Sequence, residues 1–170
     1  MSKGLVRWLT VSLMSQLNPK PDQADPNLQL REFGKSLPMT LLRAREAVMK
    51  KIIPTLKKHD LSPQQWRVIR FLEQEDGLEM SELAERCFLM VPSLSRISKN
   101  LEARGLIKRC VVVTDQRRSE LFLSDSGRSL YKIIAPKSAQ RYEHITQQFG
   151  EEKIDMLYEL LDELVVALKE

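Results

Sequence analysis

The chain has 170 residues, 42% of them hydrophobic, which is enough for one folded domain with a core of its own. Lys and Arg total 27 against 23 Asp and Glu, a formal +4, so a surface for polyanions has to come from local concentration of cations. Two cysteines without paired spacing exclude a disulfide framework and a cysteine-based zinc site. The two histidines, His59 and His144, lie far apart, and no Gly-rich phosphate loop or Gly-x-Ser-x-Gly is present, so the inventory argues against an enzyme and no cofactor or metal is expected.

Residues 1–35 differ in texture from the rest. Leu5, Leu9, Leu13 and Leu17 recur at helical spacing, and Pro19, Pro21 and Pro26 follow among polar residues, as in a linker or extended arm. The start has a passing likeness to a signal peptide, but Thr10, Ser12, Ser15 and Gln16 break the apolar run and it is too short to span a bilayer. A cytoplasmic protein without membrane contact is the expectation. Two readings of the segment stay open: a short helix that docks on a partner, or sequence upstream of a later start, with Met39 near the beginning of the folded unit at 36–170.

That unit opens on a long apolar stripe, Leu37, Leu41, Leu42, Ala44, Val48, Ile52, Ile53 and Leu56, which predicts a helix interrupted late by Pro54 and ending near His59 and Asp60. A second helix follows Leu61-Ser62-Pro63. From Ser81 onward the chain predicts two short helices in a tight turn. Ser81 and Glu82 supply a start, and Leu83, Ala84 and Cys87 a small apolar face. The next helix spans 92–104, with Pro92 in its first turn and Gly105 as a left-handed stop. On that helix Leu94, Ile97 and Leu101 fall in one narrow arc, while Pro92, Ser95, Arg96 and Lys99 fall opposite, with Ser93 in the first turn. Small hydroxyls and cations at a helix start suit the major groove, where Arg pairs bidentately with guanine and Ser serves phosphate or base. A merely solvated basic face is the competing reading.

Residues 106–113 are rich in β-branched side chains, Asp115-Gln116-Arg117-Arg118 is a polar tip, and residues 120–123 return as a second strand. Strand, basic tip and strand make a wing that carries Arg117 and Arg118 toward a minor groove, with Asp115 placed to orient the tip. An ordinary hairpin turn with solvated charge is the alternative. The fold class is therefore mainly α with a small β-hairpin wing, a winged helix-turn-helix, and the cations concentrate at Arg96, Lys99, Arg104, Lys108, Arg109, Arg117 and Arg118. At the far end Ile154, Leu157, Leu160, Leu161, Leu164, Val165 and Leu168 repeat at three- and four-residue spacing, a broader stripe than one small domain needs.

Leu-Ser-Pro-Gln-Gln-Trp at 61–66, Ser-Glu-Leu-Ala at 81–84, Ser-Leu-Ser-Arg at 93–96, Leu-Glu-Ala-Arg-Gly-Leu-Ile at 101–107, Asp-Gln-Arg at 115–117 and Leu-Phe-Leu-Ser-Asp-Ser-Gly at 121–127, in this order, resemble the MarR family of transcriptional regulators. Leu-Leu-Arg-Ala-Arg-Glu-Ala at 41–47 and Gln-Gln-Trp-Arg-Val at 64–68 look most like its regulators of homoprotocatechuate (3,4-dihydroxyphenylacetate) degradation operons. The resemblance implies a homodimer whose helices at 36–60 and 125–170 interlock, a DNA-binding lobe at 61–124, an imperfectly palindromic double-stranded DNA operator, and a repressor answering to an aromatic acid. Candidate partners for such an acid are Arg43 and Arg45 on the first helix and Trp66, Arg67 and Arg70 on the second. Arg45, Trp66 and Arg67 are favoured because they lie in the two segments most like the subgroup, although Trp66 as core and each Arg in an ion pair remain open. A protein-binding winged domain would have no reason to keep the cations at the wing and recognition helix. A peroxide sensor would need a reactive thiolate, and Cys87 and Cys110 are expected to be buried structural residues.

Overall fold

A computed structural model describes residues 32–112 and 115–169, with backbone alone for residue 112 and residues 115–118. The proposed leucine helix and proline linker before residue 32 lie outside the described residues. The elements are a single 3-10 turn at Phe33–Lys35, then α1 (Leu37–Lys57), α2 (Pro63–Gln74), β1 (Leu78–Glu79), α3 (Met80–Arg86), α4 (Val91–Ala103), β2 (Ile107–Val112), β3 (Asp115–Leu123), α5 (Asp125–Phe149) and α6 (Glu151–Ala167). The chain divides into two compact units, the first ending at Ala44 and the second running from Arg45. In the first, the described residues are the 3-10 turn and the opening turns of α1, where Leu37, Leu41 and Leu42 are exposed.

The second unit holds the core. Leu56 from α1, Val68, Ile69 and Leu72 from α2, Leu83 from α3, Leu94 and Leu101 from α4, Leu121 from β3 and Ile134 from α5 are all completely buried. The strands make one antiparallel sheet in the order β1-β3-β2. Leu78 pairs with Leu121, and Ile107 with Leu123, so each strand turns its apolar residues to the same inner face. The pairing slips between Val111, opposite Ser119, and Val112, opposite Asp115. Residues 115–118, expected as the tip of the wing, accordingly belong to β3.

Local chemistry sets the boundaries. Ser62 caps α2 in a reciprocal box: its hydroxyl accepts from the Gln65 backbone N–H, and the Gln65 side chain accepts from the Ser62 N–H. Pro54 does not end α1, which continues through it to Lys57. Helix α3 starts one residue earlier than expected, at Met80, and Ser81 does not cap it, because the N-cap position is Glu79, whose side chain makes no cap bond. The ends of α1, α3 and α4 are closed alike, by a backbone N–H beyond the helix body donating to the carbonyl five positions back, Leu61 to Leu56, Leu89 to Ala84 and Leu106 to Leu101. The left-handed residues these closures require are Asp60 (φ 52°), Phe88 (φ 50°) and Gly105 (φ 66°).

Helix α5 is locked to the winged lobe at its first turn. The Ser124 hydroxyl donates to the Gly105 carbonyl at 2.6 Å and accepts from the Gly127 N–H at 3.0 Å. Gly127 lies so close to the α4–β2 turn that a β-carbon there would stand 2.2 Å from the Leu106 carbonyl oxygen. Arg128 spans Glu73 and Asp76, and Asp76 also accepts from the Leu123 N–H at 2.7 Å, which joins α2, β3 and α5 through one polar network. Among the described residues, no helix is long and apolar enough to cross a membrane.

Candidate nucleic-acid interface and effector cavity

Helix α4 sits on the core through Leu94, Ser98 and Leu101, all fully buried, with Ile97 half-buried beside them. Sequence periodicity does not single out Ser98, which is buried because its hydroxyl donates to the Leu94 carbonyl at 2.9 Å and so satisfies itself within the helix. The outward side then carries exposed Pro92, Arg96 and Lys99, with Ser93 and Ser95 at its half-buried margins. No acidic residue occupies the first turn, and no side chain caps the N-terminus at Met90. Open N–H groups, hydroxyls and two cations thus share one convex edge, an arrangement that attracts phosphate and can reach base edges.

Two of the cations assigned to this cluster serve the fold instead. Arg104 donates to the Asp60 carbonyl at 2.7 Å and the His59 carbonyl at 3.0 Å, tying the end of α4 to the end of α1. Arg109 pairs with Glu102 at 3.7 Å, while Lys108 stands exposed on β2. The backbone of Asp115, Arg117 and Arg118 is in β3; their side chains lie outside those described.

A cavity of about 490 Å³ opens between α2 and α5. Trp66 stacks on Tyr131 along one wall, ring centroids 5.6 Å apart. Arg70, Lys132 and Tyr142 bring polar groups to it, and among the described residues no carboxylate lines it and neither Arg70 nor Lys132 forms an ion pair. The Ser138 hydroxyl lines the same space, buried and without a hydrogen-bond partner. An aromatic wall, unpaired cations and an unsatisfied buried hydroxyl form a site suited to a small aromatic anion with its own polar substituent.

Of the three residues favoured from sequence, Trp66 lines this cavity and the other two do not. Arg45 pairs with its neighbour Glu46 at 2.5 Å. Arg67 donates to the Cys87 carbonyl at 2.6 Å, at the turn between α3 and α4. Arg70 takes the place given to Arg67, and helical phase contains the reason: residue 70 is one turn from residue 66 on the same face, whereas residue 67 is 100° around. Tyr131, Lys132, Ser138 and Tyr142 come from α5, and nothing in the sequence signals that this helix lies beside α2 to form a cavity.

Of the two cysteines expected to be buried, Cys87 is buried and Cys110 is not. Cys87 is fully buried, and burial pushes its thiol up to about 11, partly offset by the charge of Arg67. Cys110 is exposed on β2, because the Ile107 side of that strand faces the core and Cys110 falls on the opposite side. Among the described residues, no three His, Cys, Asp or Glu side chains gather as a metal site would require.

A helix-turn-helix whose second helix presents cations and hydroxyls, followed by a β-hairpin wing, defines a winged helix-turn-helix of the kind that reads DNA. The MarR family model matches residues 59–118. Among curated relatives, the homoprotocatechuate degradative operon repressor of Escherichia coli is 36% identical over 130 residues, covering 76% of this chain and 88% of that one. NadR in complex with 4-hydroxyphenylacetate superimposes with a TM-score of 0.70 at 34% identity over 78% of this chain and 96% of that one. The repressor CouR bound to a 23-mer DNA duplex does so at 0.73 and 26% identity, covering 81% and 98%. The chain belongs to the MarR family and is a DNA-binding transcriptional regulator.

Proposed function

We propose that this protein is a cytoplasmic, dimeric repressor of an aromatic-compound catabolic operon, released from a pseudo-palindromic operator by an aromatic acid of the 4-hydroxyphenylacetate and homoprotocatechuate class. The observation that carries the reading is the cavity: Trp66 and Tyr131 for a ring, Arg70 and Lys132 for a carboxylate, and the orphaned Ser138 hydroxyl for a polar substituent. The name of the E. coli relative and the ligand of NadR point the same way. On DNA, Arg96 and the N-terminal residues Pro92, Ser93 and Ser95 of α4 meet the major groove, Lys99 a phosphate, and Asp115, Arg117 and Arg118 the wing's minor-groove contact.

Dimerisation through the terminal helices supplies the two half-site readers. It is supported by α6, which buries no residue within the chain while Leu157, Leu160, Val165 and Leu168 stand exposed. Release needs a link between cavity and reader, and α2 offers one. Trp66 and Arg70 of that helix line the cavity, Arg67 holds the α3–α4 turn through Cys87, and Gln65 donates to Asn100 of α4 at 2.7 Å. A ligand that shifts α2 therefore acts on both ends of α4. By linkage the acid must bind free dimer more tightly than DNA-bound dimer, and DNA must weaken the acid by the same factor. Calorimetry of 4-hydroxyphenylacetate against the free protein and against its complex with DNA from its own upstream region tests this. Weaker binding in the complex, lost in Arg70→Ala, is expected; equal affinities, or no binding at millimolar acid, would exclude this mechanism.

A further inference from the structure

Phe88 occupies a backbone state that suits it poorly, and among the described residues nothing compensates it. The equivalent left-handed positions closing α1 and α4 hold Asp60 and Gly105, residue types that tolerate φ > 0, whereas a β-carbon bearing an aromatic ring does not. The residue is 90% exposed, so packing against the described residues does not offset the strain. Past half-buried Leu89, Met90 and Val91 are exposed as well, and the apolar run continues into Pro92 at the start of α4. One turn further along stand Arg96 and Lys99. Strain kept at an exposed aromatic beside a binding edge is the kind of outlier that marks a contact surface.

We propose that Phe88 is a specificity-determining DNA contact, its ring packing against the C5 methyl of thymine at the margin of the major groove read by α4. The inference rests on α4 being the reading helix. Thymine methyls are the apolar groups the major groove displays, and Phe is among the side chains that match them. DNA fits the patch better than a second protein does, because the apolar run is continuous with an edge of cations and hydroxyls free of acidic residues in its first turn. A protein partner seated on Phe88 would have to cover those cations too.

The test uses the full chain and a duplex enriched by it from a randomised pool, prepared with thymine and again with deoxyuridine, which lacks the methyl. Wild type should lose about fourfold for each contacted methyl removed, the value of one buried carbon. Phe88→Gly should bind the thymine duplex roughly tenfold more weakly, ignore the thymine-to-uracil change, keep its affinity for the unselected pool, and melt at a higher temperature than wild type because the strain is relieved. Phe88→Ala should lose the same DNA affinity without the gain in melting temperature. Retained affinity and methyl discrimination in Phe88→Gly would overturn the proposal. A changed oligomeric state with unchanged DNA binding would do so as well, assigning the patch to a protein contact. Failure of wild type to enrich any duplex would remove the reading of α4 itself, a result distinct from both.

Discussion

Helices α4 and α6 are both amphipathic and rich in leucine, yet the 13-residue α4 buries Leu94, Ser98 and Leu101 while the 17-residue α6 buries nothing completely. The difference lies in their neighbours. Around α4 stand α2, α3 and β2, so its apolar stripe closes a core within one chain. Helix α6 packs along α5, with Ile154, Leu161 and Leu164 half-buried, while Leu157, Leu160, Val165 and Leu168 stay exposed among the described residues. Periodicity announces an apolar face; whether that face belongs to the protomer or to an assembly depends on what else is there to meet it.

The largest expected effect is in the closed region. Leu94→Ala should cost about 2–5 kcal/mol of unfolding free energy, measured by denaturant titration, and the loss should not vary with protein concentration. Leu160→Asp probes the open region and should behave oppositely. Its effect should appear as a dimer dissociation constant raised about 30-fold or more in sedimentation equilibrium, with the winged lobe still folded in the dissociated chain. If Leu160→Asp instead unfolded the lobe at every concentration, the contrast between the two helices would collapse.

A smaller effect sharpens the division within α4 itself. Arg96→Ala should cost roughly 1–3 kcal/mol on a selected duplex and relax base preference, whereas Lys99→Ala should weaken all duplexes evenly and shallow the slope of affinity against salt by about one unit. Titrations across a salt series on selected and unselected DNA separate the two. An unchanged specificity ratio in Arg96→Ala would reassign that side chain to phosphate.

Much of the lobe was legible in the chain because its signals are local: Leu61-Ser62-Pro63 ahead of α2, Gly105 as a stop after α4, and the β-branched run that becomes β2. What escaped depended on distance. Arg104 reads as one more cation for DNA until the ends of α1 and α4 meet and it bonds the His59 and Asp60 carbonyls. The cavity needed α5 beside α2, since Tyr131 and Ser138 have no chemistry in common with Trp66 until the fold adjoins them. Helical phase puts Arg70, and not Arg67, on the face of Trp66. Phe88 was invisible for another reason: nothing in composition announces an aromatic residue held at positive φ.

The two cysteines repeat the contrast between closed and open surfaces at the scale of one atom. Cys87 lies in the core with a thiol pushed up to about 11 from 9.0, chiefly by desolvation and partly offset by Arg67, while Cys110 is exposed on β2. At about pH 8 an alkylating reagent should modify Cys110 in the native protein and reach Cys87 only on unfolding, since the thiolate is the nucleophile. The same shift sets a pH dependence. Below 9 both folded and unfolded chains keep the Cys87 proton; between 9 and about 11 the unfolded thiol ionises and the folded one does not, so stability falls as pH rises through that window. Cys87→Ala removes the titrating group and should flatten the decline there, at the cost of a small cavity visible at all pH values. Denaturant midpoints for wild type and variant across this range are the measurement. Parallel curves would show that the decline belongs to other groups, and equal alkylation rates for the two thiols would place Cys87 within reach of solvent.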